Sequence, residues 1–267
     1  MDFVQAKKGI SVAATDSARV IARRIIPPRV REWLWLQQRN LRLSPPHGWI
    51  WFGNLRRTTP VSKIFGFDRG HCIDRYYIEN FLGRRAGDIH GRVLEVADNT
   101  YTTRFGADRV TRSDVLHVQK GNPKATVVGD LAGDNDIPSD SFDCIIFTQT
   151  LQFIFEFRAA VASLRRILRP GGVLLATFPG ISQISRYDMN RWGDYWRFTT
   201  ASARRLFDEE FAAENVEVQS YGNVLAANAF LHGLADTELR RAELDFQDPD
   251  YELIITVRAV KKVEPAS

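Results

Sequence analysis

The chain has 267 residues and is 44% hydrophobic, enough for one large domain or for a domain with an appendage. It holds two cysteines, Cys72 and Cys144, and Cys144 sits inside an apolar run that reads as a buried strand, so neither a disulfide framework nor a cysteine-based zinc site is expected. No apolar stretch approaches the roughly 20 residues of a membrane span, and Asp16 and Arg19 interrupt any signal-peptide core, so a cytoplasmic protein is expected.

The formal charge of +4 is unevenly spread. Residues 1–66 carry 12 Lys/Arg against 3 Asp/Glu, and the remainder carries 24 against 29. This basic leader also holds Trp33, Trp35, Trp49 and Trp51, while Pro27-Pro28 and Pro45-Pro46 break it into short pieces rather than one amphipathic helix. It reads as a solvated arm packed by its Trp residues on a main domain at 67–263. Peripheral contact with an anionic membrane or a partner protein is the alternative use of such a segment, and a nucleic-acid partner is not expected.

In chain order, IDRYYIENFL at 73–82 predicts a helix with Ile73, Tyr77, Ile78, Phe81 and Leu82 on or near one face, lying across the top of the domain. Apolar runs follow: VLEV at 93–96, TVVGDL at 126–131, FDCIIFTQ at 142–149 and GVLLATFP at 172–179. Such continuous runs, separated by helix-length segments, predict buried parallel strands in a doubly wound α/β sheet. Arg158 to Leu168 has helical spacing and is closed by Pro170-Gly171-Gly172. A further helix is expected from Ala201 to Phe211, capped by Thr199 or Thr200. VEVQSY at 216–221 and YELIITVRAV at 251–260, joined by a long connection, suit a mixed sheet with one antiparallel strand.

An open α/β sheet binds its ligand beyond the carboxyl ends of its strands. Glu95 lies in the first apolar run, and Asp114 follows it by 19 residues, near the spacing at which an acid meets the ribose hydroxyls of a nucleotide. Asp130 ends the next run and Thr148-Gln149 end the one after it. A carboxylate accepts two hydroxyl bonds and an adenine amino group needs an acceptor, so Asp114 and Asp130 are chemically apt. His71, His90, His117 and His232 show no metal-ligand spacing, and no metal is expected.

With GRVLEV at 91–96, ATVVGDL at 125–131, IPSDSFDCIIFTQTLQFI at 137–154, LRRILRPGGVLLATFPG at 164–180 and RWGDYWRFT at 191–199, the chain resembles the class I S-adenosylmethionine-dependent methyltransferases over about residues 65–260. The likeness is closest to the methyltransferase type 11-like branch found beside bacterial glycan and natural-product genes. The resemblance implies a Rossmann-like, mostly parallel seven-stranded sheet with helices on both faces, and S-adenosyl-L-methionine as cofactor. It also implies that Glu95 lies near the methionine amino end, that Asp114 with Val115 holds the ribose, that Asp130 and Leu131 flank the adenine, and that Thr148-Gln149 lie under the methionine. Tyr76 and the turn Ala97, Asp98, Asn99 and Tyr101 complete the candidate cofactor residues.

That turn departs from the family, which uses glycines there because the backbone must approach the cofactor closely and adopt positive φ. Ala97 is the smallest substitute and Asn99 tolerates left-handed geometry, whereas Tyr101 must swing outward or reshape the pocket. A dehydrogenase would need those glycines to seat a pyrophosphate at a helix N-terminus. A sulfonium cofactor carries no phosphates.

The segment at 185–199 follows the fifth strand, where the family builds its acceptor site. Tyr187, Arg191, Trp192, Tyr195, Trp196 and Arg197 are the expected acceptor-binding residues, with Asp188 or Asp194 as the base that takes a hydroxyl proton. The plainer reading is a plug made by Trp192, Trp196 and Phe198, with Asp194 and Arg197 paired. The function implied is methyl transfer to a hydroxyl oxygen of a sugar, glycan or secondary metabolite, a small-molecule or glycan acceptor. The alternative is a non-catalytic domain of the same fold serving as a binding or regulatory subunit.

Overall fold

The computed structural model describes Pro27, Val30 and residues 45–263. The chain divides into two units, 1–57 and 58–267. Trp33 and Trp35 lie outside the described residues. Residues 58–66, expected in the leader, belong instead to the second unit. The N–H groups of Val61 and Ser62 donate to His232 O at 2.8 and 3.1 Å, and the buried Ser62 hydroxyl accepts from Gly66 N–H.

Among the described residues seven strands form one sheet: β1 (Gly91–Val96), β2 (Val110–His117), β3 (Val127–Val128), β4 (Phe142–Thr148), β5 (Leu168–Pro179), β6 (Val216–Tyr221) and β7 (Ile254–Val260). Their order is β3-β2-β1-β4-β5-β7-β6. The strands from β1 to β5 pair in parallel, and β7 runs antiparallel to both β5 and β6. β7 is thus the one reversed strand, and the carboxyl ends of β1 to β6 share an edge.

The apolar runs are continuous because both faces of the sheet are covered. Successive side chains alternate between faces. On one face Leu94, Ile145, Phe147, Leu174 and Phe178 pack against Val161, Leu164 and Ile167 of α2 (Phe157–Ile167) and Leu206 and Phe207 of α4 (Thr200–Glu210). On the other, Val93, Cys144, Ile146 and Leu175 meet Ile73, Tyr77, Ile78, Phe81 and Leu82 of α1 (Ile73–Arg84) and Phe230 of α5 (Val224–Leu231). Helix α1 therefore lies on a face of the sheet and not across its top. Two short helices, α3 (Arg186–Met189) and α6 (Arg241–Asp245), complete the described set. Both cysteines are buried and unlinked. Burial pushes the Cys72 thiol up to about 12 and the Cys144 thiol up as well, so neither is a thiolate at neutral pH.

Helix α4 starts as its sequence requires. The Thr199 side chain accepts from Ser202 N–H at 3.2 Å while the Ser202 hydroxyl accepts from Thr199 N–H at 2.9 Å, a reciprocal cap. The Pro170-Gly171-Gly172 segment differs from expectation. Helix α2 ends at Ile167 and β5 begins at Leu168, so the glycines lie inside an irregular strand start and form no separate turn. A Cβ on Gly172 would come within 2.9 Å of Arg169 O and 3.0 Å of Phe142 O, which is why glycine stands there.

The position of Asp114 is corrected by β2. The residue lies three positions before the strand ends at His117, paired in register with Leu94, and its side chain is 1% exposed. Arg92 Nε donates to it at 2.6 Å, Thr126 Oγ1 at 2.9 Å, and Arg112 from 3.2 Å. Burial alone would raise the pKa of this acid, but the donors from Arg92 and Thr126 and the charge of Arg92 outweigh it and hold the carboxyl below its usual range. A depressed pKa contributes stability that is present above the unfolded-state value and is lost as pH falls through the folded one. Asp114→Asn should therefore destabilise the fold by roughly 1–3 kcal/mol at neutral pH. In denaturant titrations the difference from wild type should shrink as pH drops below about 4.

Candidate functional site

The carboxyl edge of β1 is organised by Glu95. Its side chain is 3% exposed and points away from water into the turn that follows the strand. Glu95 Oε1 accepts from Tyr101 N–H at 3.1 Å, and Oε2 accepts from Thr102 N–H and Thr102 Oγ1–H, each at 2.7 Å. Burial raises the Glu95 pKa, and the Thr102 and Tyr101 donors work against that rise by favouring the charged form. To bring those donors back, the chain must reverse just past the strand. Ala97 does so at φ +70°, the left-handed geometry for which glycine is the usual residue. Asn99 is not in that geometry, and its Nδ2 donates to Ser113 Oγ at 3.2 Å. Asp98 Oδ1 accepts from Thr100 N–H, closing the tip of the turn.

Tyr101 does not swing outward. It turns inward, 8% exposed, into the layer under α1, where Arg75 Nη1 donates to its hydroxyl at 3.0 Å and Phe105 packs against its ring. Tyr76 is also drawn off the edge, because its hydroxyl donates to Asp245 of α6 at 2.5 Å. Val115 is buried within β2, one residue past Asp114.

At the carboxyl end of β2 stands His117, to which the sequence assigned no role. Its Nδ1 lies 2.7 Å from Gln119 O, which leaves Nε2 for other partners. Residues 115–129 hold no Asp or Glu, so this corner of the edge carries an imidazole where a nucleotide-binding sheet commonly carries an acid. Asn122, from the loop after β2, donates to Ala97 O at 2.7 Å and ties the two loops together. Past β3, Asp130 is exposed with Oδ1 on Ala132 N–H, and Leu131 is buried in the core. Past β4, Gln149 adopts φ +47° and donates its N–H to Thr177 O, beside Thr148, the last residue of the strand. Gln152 is 4% exposed, and its Oε1 is buried with no hydrogen-bond partner among the described residues.

The segment after β5 reaches back over this edge. Trp192 meets His117 edge to face at 5.9 Å, so the segment leaves β5 and touches the end of β2, with β4 and β1 lying between the two strands. Its frame is built by Asp194 and Arg197. The Asp194 carboxylate is 1% exposed, takes Arg197 Nη1 at 2.5 Å and Nη2 at 3.1 Å, and accepts Ser185 N–H at 2.9 Å. Arg197 also donates to the carbonyls of Gln183 and Trp196. This pair staples the entrance of the segment to its exit, which takes Asp194 out of the role of a free base and Arg197 out of that of an anion clamp. Trp196 is a plug: its Nε1 donates to Ile154 O and its ring packs on Phe155 and Phe157.

The remaining residues face outward. Tyr187 is exposed with the Arg191 guanidinium 3.5 Å from its ring centroid, Tyr195 is exposed against Phe155, and Trp192 is half-buried. Asp188 is half-buried and accepts the Ser185 hydroxyl on Oδ2 at 2.6 Å, leaving Oδ1 for another partner. Among the described residues no group of three or more His, Cys, Asp or Glu is placed to hold a metal ion, and no helix is long and apolar enough to cross a membrane.

Residues 86–176 match the family described as a methyltransferase domain. The match spans β1 to most of β5, the strands whose carboxyl ends carry these residues. Among solved structures, a SAM-dependent methyltransferase from Archaeoglobus fulgidus is similar at 10% identity and a TM-score of 0.47, covering 70% of this chain and 94% of its own. An S-adenosylmethionine-dependent methyltransferase from Mesorhizobium loti is similar at 13% identity and a TM-score of 0.46, covering 73% of this chain and 100% of its own. No curated protein matches the chain. Over residues 86–176 the chain is thus similar to a methyltransferase domain, whose cofactor would be S-adenosylmethionine. The residues present fit that group at two points: the left-handed Ala97 lets the backbone of the turn approach a ligand, and the orphaned Gln152 Oε1 calls for a donor from one. The end of β2 carries His117, a position where nucleotide-binding sheets commonly place an acid.

Two substitutions probe the turn. Ala97→Gly removes a left-handed penalty of about 1–2 kcal/mol at a chain-entropy cost of about 0.5–1 kcal/mol, so thermal melting should show a net gain of up to about 1.5 kcal/mol. Glu95→Gln leaves at least one of the Tyr101 and Thr102 amides without an acceptor. It should cost roughly 1–3 kcal/mol and speed hydrogen exchange at those two amides.

Proposed function

We propose that the protein transfers a methyl group from S-adenosylmethionine to a hydroxyl oxygen of a sugar, glycan or secondary-metabolite acceptor. The observation that carries this reading is the turn after β1, where Glu95 holds a left-handed Ala97 at the carboxyl edge of the strands matched to the methyltransferase domain. The cofactor supplies an electrophilic methyl group, and the protein's task is then to bring an oxygen into line with it and to keep water out.

On this reading the turn at 97–99 and Gln152 hold the methionine end, with Thr148-Gln149 beneath it. His117 Nε2 takes a ribose hydroxyl in place of the usual acid, and Asp130 and Leu131 flank the adenine. Trp192, spanning from β5 to His117, covers the ends of β1 and β4 and excludes solvent. Tyr187, Trp192 and Tyr195 offer faces for a sugar or other flat acceptor, and Arg191 offers a charge. Asp188 is the base of choice, since its Oδ1 is free while Asp194 is bound on both oxygens.

The imidazole at the end of β2 favours a second reading, a domain that has exchanged tight cofactor binding for service as a binding or regulatory subunit. Isothermal titration separates the two. A one-to-one isotherm with S-adenosylhomocysteine supports the enzyme, and none at all supports the second reading. For the acceptor, a screen of hydroxylated compounds should reveal a product heavier by one methylene. Asp188→Asn should then lower turnover by roughly 10²–10⁴-fold with cofactor affinity unchanged. Asp194→Asn should instead lower the melting temperature, by an amount reflecting roughly 2–3 kcal/mol, because it leaves the Arg197 guanidinium unpaired within the loop.

A further inference from the structure

Outside the methyltransferase edge, the most unusual surface among the described residues is the stretch at 45–57. Its backbone is self-contained. Trp49 N–H donates to Pro46 O at 3.0 Å, Leu55 N–H donates to Phe52 O at 3.0 Å, and Arg56 N–H donates to Gly53 O at 3.2 Å. Between these two turns the chain presents Trp49, Ile50, Trp51 and Phe52 with 74%, 55%, 89% and 58% of their surface exposed. Four consecutive large apolar residues held out by local turns are not the scattered exposure that any surface shows. Arg56 and Arg57 follow at once and are themselves exposed.

We infer that this stretch docks on an anionic phospholipid surface, with Trp49, Ile50, Trp51 and Phe52 entering the interface and Arg56 and Arg57 meeting the headgroups. Indole rings favour the boundary between hydrocarbon and headgroups, with the ring on the apolar side and its N–H on the wet side. Ile50 decides between lipid and nucleic acid. Bases stack on aromatic rings, but an exposed aliphatic side chain gains from hydrocarbon and not from stacking. Charge complementarity adds to the case: residues 1–66 carry 12 Lys/Arg against 3 Asp/Glu, and the rest of the chain is acidic. Each basic residue near such a surface strengthens binding by about fivefold. Neither the apolar turn nor the charge suffices alone, and their adjacency supplies the two signals that stable peripheral attachment takes.

The inference stands apart from methyl transfer, and its test reads no activity. The full chain is floated with vesicles of phosphatidylcholine alone and of phosphatidylcholine with phosphatidylglycerol, at low and at high salt. Wild type should rise with the anionic vesicles and be released by salt. Trp49→Ala combined with Trp51→Ala should lower partitioning at least about tenfold. Arg56→Glu combined with Arg57→Glu should lower it at least about thirtyfold, since each change removes an attracted charge and adds a repelled one. Both double variants should melt with the wild type, because the altered side chains are largely exposed. Absence of wild-type flotation overturns the inference, and so does flotation that the tryptophan variant leaves unchanged. It is equally overturned if an oligonucleotide binds in a tryptophan-dependent way and displaces the vesicles, or if the tryptophan variant merely dissolves a dimer of the chain.

Discussion

A carboxylate buried at the end of a strand has to be given donors, and in this protein Glu95 takes all of its donors from the chain just beyond it. Much of the candidate site is a consequence. Two backbone amides and a hydroxyl can reach back to residue 95 only if the chain reverses at once, so Ala97 is forced through φ +70°. The same reversal carries Tyr101 inward, where its ring needs an apolar layer and its hydroxyl a donor, and α1 provides both through its underside and Arg75. The turn passes through left-handed geometry at Ala97 and is held by a charge and its hydrogen bonds, where glycine would have adopted that geometry without strain.

Burial also decides which acids remain available for chemistry. Asp114 and Asp194 both have side chains only 1% exposed, and each is surrounded by guanidinium and backbone or hydroxyl donors. A charge so enclosed is a brace: its partners are what make its burial tolerable, and removing either member leaves the other uncompensated. Asp130 and Asp188 keep an oxygen open because they sit at strand and helix ends that water reaches. For Asp114, three residues short of the end of β2, and Asp130, just past β3, the difference follows from distance to the end of the strand.

That distance is what the sequence conceals. The apolar runs of β1, β4, β5 and β7 are legible because burial on both faces leaves a continuous signature, and the cap of α4 is legible because Thr199 and Ser202 are spaced for it. β2 has no such signature. Its first half, Val110 to Ser113, is partly exposed and polar, since its outer neighbour β3 is only two residues long. The 19-residue spacing from Glu95 falls at Asp114, three residues short of the end of β2, and His117 at that end is marked by no metal-ligand spacing. The Asp194 and Arg197 pair was readable from its spacing of three, though composition alone could not rank it against catalysis. The left-handed turn was readable in a subtler way, from what a small residue replaces.

The acceptor segment combines these effects. Its residues divide into those facing the core and those facing the solvent. Trp196 and Phe198 lock the segment onto Phe155, Phe157 and Phe178, and the Asp194 and Arg197 pair closes its neck. Once those anchors are made, Tyr187, Trp192 and Tyr195 are held in place at small entropic cost, because the backbone that carries them is already ordered. A displacement that depends on alignment rather than on strong acid or base would gain from such a scaffold, if the proposed acceptor meets these side chains. The plug and the proposed acceptor site, which compete as readings of the same sequence, are therefore compatible: the plugging residues give the outward-facing ones a fixed place.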